Sequence, residues 1–276
     1  MIRPWSLIKT TQLVVALLLF GSCKKDPSIQ EESPYDIILI AGQSNTHQGI
    51  GYDPFLDSPD ERIKQLGRAA SHNMHVIPGS EPLEHWTSQD GEIGFGLTFA
   101  KEYADKYLVD GRKVLIIPCG RGQTGFAAHD WNRGDAMYTD AVNRTAHALS
   151  LNKDNKLVAI LWHQGENDIG WPGYQAALDS TIVNLRRDIN RDQNTLFIVG
   201  GMVPYFVAQD SLALVGQLVI AHVPKRMGST GYASPYYPFE IHKDDDTFLP
   251  MHYDAKGQRI LGKRYFNVFD SLSSLR

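Results

Sequence analysis

Cleaving an ester takes a nucleophile, a base within hydrogen-bond reach of it, and donors aimed at the oxyanion that develops. Residues of those types cluster at four places in the chain. Gly42-Gln43-Ser44-Asn45, Gly120 to Thr124 and Gln164 to Asp168 each close an apolar run, and Met251-His252-Tyr253-Asp254 stands just before a helical pattern near the C-terminus. A serine placed early and a histidine placed late are compatible with one site, because such groups are defined by geometry and not by chain order. Ser44 is not in the G-x-S-x-G elbow. The plainer alternative makes Ser44 the N-cap of an ordinary strand-to-helix turn, and these residues alone leave both readings open.

The elements that must position these residues follow from periodicity. Ile37 to Ile40 is a branched apolar run of the kind that forms a buried parallel strand, and it passes directly into Gly42, which permits a sharp turn. Lys113 to Ile117, Leu157 to Trp162 and Thr195 to Val203 repeat that pattern. Between them, Phe95, Phe99, Tyr103 and Tyr107 recur at helical spacing. Helices are also predicted over 136–150, from Tyr174 to Ile189, from Ser211 to Val223 and from about Ala255 onward. Alternation of apolar strands with amphipathic helices predicts an α/β fold. It should be a three-layer α/β/α sandwich on a central, mostly parallel sheet, with ligands at the carboxyl ends of the strands.

Thr46 to Gly94 has little periodicity, with short strands predicted near Arg62–Leu66 and His75–Ile77. Its aromatic residues Tyr52, Phe55 and Trp86 predict an ordered wall beside the site.

Composition excludes some function classes. A hydrophobic share of 42% with 21% charged residues is that of a globular protein, and a net charge of -4 offers no basic footprint for nucleic acid. The ten histidines show no metal-ligand spacing such as H-E-x-x-H, so neither metal nor organic cofactor is expected. Asp244 to Asp246 lacks an EF-hand pattern and reads as a solvated acidic loop.

At the N-terminus, Arg3 and Lys9 precede the short apolar run Leu13 to Phe20, and Gly21-Ser22 precedes Cys23. That arrangement resembles a bacterial lipoprotein signal, with a simple secretory signal as the alternative. The expected division is a signal peptide over 1–22, a tether over 23–34 beginning with lipidated Cys23, and one domain over 35–276. The resemblance puts the protein in the bacterial cell envelope, touching membrane only through its lipid. With Cys23 lipidated, Cys119 has no disulfide partner and reads as a buried structural thiol.

Gly42-Gln43-Ser44-Asn45, Trp162-His163-Gln164-Gly165-Glu166, and His252 followed by Gly257-Gln258 and Leu261-Gly262 resemble the SGNH hydrolases. Within them the chain is most similar to the carbohydrate-esterase branch that holds sialate O-acetylesterases and acetylxylan esterases. The likeness extends through Pro82-Leu83 and Gly94-Phe95-Gly96, and through Val114 to Trp131, and covers roughly residues 36–266. It implies Ser44 as nucleophile and His252 as general base, with the N–H groups of Ser44 and Gly122 as oxyanion donors. A side-chain amide from Gln164 or Asn167 would be the third donor. The family's triad aspartate belongs three residues before the histidine, where this chain has Leu249. Asp246 is the first choice to replace it; Asp254, Glu166 or a dyad are the alternatives.

Trp86, Glu166 and His163 are candidates for contact with substrate. For His163 packing in the pocket wall competes with that role, and for Trp86, Trp131 and Trp171 core burial competes with lining a sugar cleft. The expected substrate is an acetylated carbohydrate. A lipase or thioesterase on the same fold is an alternative, as is a glycan-binding lipoprotein without turnover, suggested by Leu249.

Overall fold

Strand β1 (Tyr35–Gly42) is the spine of the structure, and all eight of its residues are buried. In chain order there follow β2 (Gly49–Ile50), β3 (Ile63–Leu66), β4 (Val76–Pro78), β5 (Glu92–Ile93), helix α1 (Gly96–Tyr107) and β6 (Lys113–Gly120). Next come α2 (Ala136–Ser150), β7 (Lys156–His163), α3 (Tyr174–Ile189), β8 (Leu196–Gly200) and α4 (Pro204–Gln209). The chain ends with α5 (Ser211–Ala221), α6 (Val223–Arg226), β9 (Thr230–Ala233) and α7 (Ala255–Ser273). This computed structural model describes Met1 and residues 33–275. The expected signal segment, Cys23 and the tether up to residue 32 lie outside the described residues.

The main sheet has seven strands in the order β4-β3-β6-β1-β7-β8-β9, with β1 paired in parallel to both β6 and β7. Only β4 runs antiparallel, against β3 at the edge. Side chains alternate across β1. Ile37, Leu39 and Ala41 join one core with Met137, Leu178 and Ile182 of α2 and α3, while Ile38 and Ile40 join another with Phe99, Leu261 and Tyr265 of α1 and α7. Helices therefore cover both faces, which is why the central strands β1, β6, β7 and β8 are predominantly apolar and do not alternate with polar residues. The predicted three-layer sandwich is what forms.

Differences from the predicted elements have local causes. The fourth predicted strand is shorter, ending at Gly200, and the helix predicted to reach Val223 stops at Ala221, with a separate turn at Val223-Pro224 because proline donates no N–H to continue it. Strand β9 is Thr-Gly-Tyr-Ala, too poor in apolar residues to announce itself, yet it completes the sheet beside β8. The long segment after Ser44 is an ordered wall: it contributes β3 and β4 to the sheet, and β2 and β5 pair as a separate ribbon.

Candidate active site

The ends of β1, β6 and β7 lie side by side, with Gly42 opposite Gly120 on one flank and opposite His163 on the other. Gly42 has φ of +130°, and a Cβ there would come within 2.0 Å of the His163 carbonyl oxygen. The chain can turn so sharply only because that atom is missing. Gln43 N–H then donates to the same carbonyl at 2.8 Å, and a single 3-10 turn (Ser44–Thr46) follows. Ser44 is thus held at the carboxyl edge of the central strand.

His252 reaches it from the other end of the chain. Its Nε2 stands 2.9 Å from Ser44 Oγ. Asn45 ties the two segments together: its Nδ2 donates to Glu166 Oε1 at 2.5 Å and to the Met251 carbonyl at 2.8 Å. Its Oδ1 accepts from Tyr253 N–H at 3.0 Å, and its own carbonyl accepts from Gln258 Nε2 of α7 at 3.0 Å. One asparagine therefore grips the residues on both sides of the imidazole.

No carboxylate among the described residues accepts a hydrogen bond from His252 Nδ1. Asp246, the first choice, turns back and takes the Lys243 N–H at 3.3 Å. Asp254 caps α7 by accepting from Gly257 N–H at 2.7 Å. Each short side chain is satisfied locally, as aspartates in turns and at helix starts commonly are. Glu166 is the carboxylate whose field does reach the imidazole, raising its basicity, but its own partners are Asn45, at 2.5 Å, and His163, at 3.6 Å. Burial is the strongest influence on His252 and lowers its pKa, the Lys243 charge adds to that, and the net result lies below the ordinary value.

The oxyanion candidates are distributed differently from expectation. Ser44 N–H has no partner among the described residues. Gly122 N–H is engaged, donating to Thr87 Oγ1 at 3.0 Å. Gln164 points its amide nitrogen away, to Asp168 at 2.6 Å. That aspartate also takes the N–H groups of Phe126 and Ala127, at 2.8 and 2.9 Å, and so anchors the loop after β6. Asn167 is exposed, with its N–H on Gln43 Oε1 at 3.3 Å. The sequence reading missed Gln48. Its carboxamide stands beside Gly122, where a Cβ would lie 3.2 Å from Nε2, and it lines a small cavity with Ile50, Leu249 and His252. The signal available in sequence was its position one helical turn beyond Ser44.

Thr87 and His47 join the two loops. Thr46 Oγ1 donates to the Gln43 carbonyl at 2.7 Å and lies 2.7 Å from His47 Nδ1, while His47 Nε2 lies 2.9 Å from Thr87 Oγ1. A neutral His47 protonated on Nδ1 orders every proton in this chain, leaving Thr87 Oγ1 to donate to Nε2 and accept from Gly122. Burial, reinforced by the His252 charge, pulls the His47 pKa down to about 3 and keeps that form. His47 stacks on His85, which accepts from Gly120 N–H at 2.8 Å.

Of the residues expected to touch substrate, His163 is completely buried beneath Phe95, Tyr253 and Tyr265 and stands 3.6 Å from Glu166 Oε1, so its contacts are within the protein. Glu166 is buried against Asn45, and Trp131 lies in the core edge-on to Trp162. Trp171 packs partly buried against the same core. Trp86 is 42% exposed, with its indole N–H on Asp140 at 3.2 Å and the Arg68 guanidinium 4.5 Å above the ring. Cys119 is a buried free thiol pushed up to about 12 by desolvation, which keeps it protonated and unreactive.

Residues 34–271 match the profile of a family described as carbohydrate esterase, sialic acid-specific acetylesterase. The chain belongs to that family. Among curated relatives, this member is 28% identical over 206 residues to a probable 9-O-acetyl-N-acetylneuraminic acid deacetylase of Escherichia coli (strain K12); the match covers 59% of this chain and 63% of that relative's length. It is 29% identical over 186 residues to a probable carbohydrate esterase of Arabidopsis thaliana, across 59% of this chain and 68% of the relative. Among solved structures, the crystal structure of NanS superposes with a TM-score of 0.77 at 20% identity, over 90% of this chain and all of NanS (100%). An Arabidopsis thaliana protein superposes at 0.69 with 21% identity, over 86% of this chain and 99% of that one. Both structural likenesses speak for the fold of this esterase family member.

Proposed function

We propose that the protein is a serine esterase that removes O-acetyl groups from carbohydrates, working through Ser44 and His252. The single observation that carries this reading is the 2.9 Å approach of His252 Nε2 to Ser44 Oγ across the top of the central strand. Family membership supplies the substrate class. Ser44 Oγ attacks the acetyl carbonyl carbon while His252 Nε2 takes the hydroxyl proton. The carbonyl oxygen gains charge in front of Ser44 N–H, with the Gln48 carboxamide, which lines the cavity beside His252, as the second donor. When the intermediate collapses, the C–O bond to the sugar breaks and His252 returns the proton to the departing sugar oxygen. Water, deprotonated by the same imidazole, then attacks the acetyl-serine; as the bond to Ser44 Oγ breaks, His252 returns the proton to that oxygen and acetate leaves.

A short acyl group suits the space. The cavity beside His252 holds about 100 Å³, small beside the ~300–1,000 Å³ of pockets for larger ligands. Ser44→Ala is expected to lower acetate release from O-acetyl sialic acid or acetylated xylan by roughly 10³-fold or more at unchanged melting temperature. Turnover near wild type in the folded variant would reject the assignment.

The same proposal places the enzyme in the bacterial cell envelope on a lipid at Cys23, supported by the charged, apolar and small-residue sequence of segment 1–22. Cys23→Ala should move the protein from the membrane fraction to the soluble one. An unchanged distribution would remove the anchor.

A further inference from the structure

The loop that carries His252 has its own fastening, which neither the family resemblance nor the mechanism above uses. Lys243 Nζ donates to three backbone carbonyls: Phe248, Leu249 at 2.8 Å and His252 itself at 3.0 Å. An ammonium has three donors, and all three are spent on this one loop. The loop is otherwise held by short-range turns. His252 N–H donates to the Leu249 carbonyl at 2.9 Å, and Leu249 sits at φ of +45°, a left-handed conformation rare for a branched residue. Asp245 accepts from Thr247 N–H and Oγ1, and Asp246 from Lys243 N–H. These contacts close the loop on itself; the ties that reach beyond it are the Asn45 grip and the adjacent, buried Tyr253, whose hydroxyl donates to the Gly201 carbonyl at 2.8 Å, and neither touches the His252 carbonyl that Lys243 holds.

We infer that Lys243 is the positioning residue of His252: by gathering the carbonyls of residues 248, 249 and 252 it holds the imidazole over Ser44, a task the triad carboxylate performs elsewhere. The inference rests on the Ser44–His252 reading. A lysine in this place has an electrostatic consequence opposite to that of a carboxylate. Its charge disfavours the imidazolium and lowers the His252 pKa, whereas a triad acid would raise it. The other groups facing the imidazole are Glu166, which raises its pKa, and His47, itself held neutral. Lys243 in turn faces Asp245, Asp246 and Asp254, which favour its charged form against the effect of burial. The site thereby keeps a neutral base ready in weakly acidic conditions, at the expense of a less stabilised imidazolium.

The test compares Lys243→Met and Lys243→Arg with wild type and Ser44→Ala, on 4-nitrophenyl acetate and on an O-acetylated sugar, from about pH 5 to 8. Lys243→Met should lower kcat roughly 10- to 100-fold with KM within about twofold, and should move the acid limb of kcat/KM to higher pH. Lys243→Arg, which retains the charge, should keep the wild-type limb and recover part of the rate. A Lys243→Met protein with kcat within about threefold of wild type overturns the inference. So does a folded variant that loses rate with its limb unmoved, since that is the behaviour of a merely structural lysine. Should Lys243→Met fail to fold by thermal melting, Lys243→Gln, with two N–H donors and no charge, is read for the limb in its place, and an unmoved limb overturns the inference equally. Wild-type turnover by Ser44→Ala would instead sink the esterase reading. An inactive Ser44→Ala beside an unaltered Lys243→Met removes the lysine's role alone.

Discussion

Ser44 and His252 meet at 2.9 Å but are held by opposite kinds of structure. The serine ends a strand paired on both sides, and its turn is braced by the neighbouring strand end through Gln43 and His163. The histidine rides a loop gathered by one lysine; the loop's other bonds span only a few residues, apart from the Asn45 ties and the Tyr253 hydroxyl on the Gly201 carbonyl. A nucleophile seated on the central strand moves only if the sheet moves. A base on a loop outside the sheet, tied to the core mainly through Asn45 and Tyr253, can be displaced at less cost than a residue of the central strand. Asn45 is the clasp between the two regimes.

That contrast can be broken most severely at the clasp. Asn45→Ala is expected to lower unfolding stability by about 2 kcal/mol or more, since it orphans Tyr253 N–H and leaves the buried Glu166 carboxylate with only the longer His163 contact. The rate should fall by roughly 10²-fold as well, because the imidazole loses its register over Ser44. Chemical denaturation and steady-state kinetics check both, and a stable variant with wild-type kcat would show that the loop needs no tie to the strand. The lysine substitutions sharpen the same contrast from the loop side: their effect belongs to kcat and the pH profile, with much less change in melting temperature than Asn45→Ala.

The smallest expected effect is a displacement along the pH axis in the unaltered enzyme. His252 acts as a base only when neutral, so kcat/KM rises as pH passes upward through its pKa. Burial first, and then the Lys243 charge, put that pKa below the ordinary 6.5, with Glu166 opposing. The acid limb should therefore be centred below pH 6.5. A limb centred above that value would mean that Glu166, not burial, governs the imidazole.

The strand ends were legible in the sequence because branched apolar runs ending in glycine have few other uses, and Gly42, Gly120 and His163 come together wherever β1, β6 and β7 pair in register. The ordered wall after Ser44 could be foreseen from its aromatics, though not its pairing of β2 with β5. Which polar group does what was much less legible. Asp246, Asp254, Gln164 and Gly122 were all reasonable candidates by type and position, and each has another partner within reach: a loop N–H, a helix start, a buried aspartate and a threonine hydroxyl.

What the amino-acid sequence determined by itself was the α/β alternation and the strand-end seat of Ser44, because hydrophobic periodicity and turn chemistry are local properties of the chain; the candidacy of His252 came from the family resemblance of its motif. Only the tertiary structure decided which carboxylates and amides are free to act, since a short polar side chain bonds to whichever donor the folded backbone sets nearest to it. The same holds for Lys243. Nothing about an isolated lysine beside three aspartates foretells that its ammonium will turn to three carbonyls and hold the loop of the base.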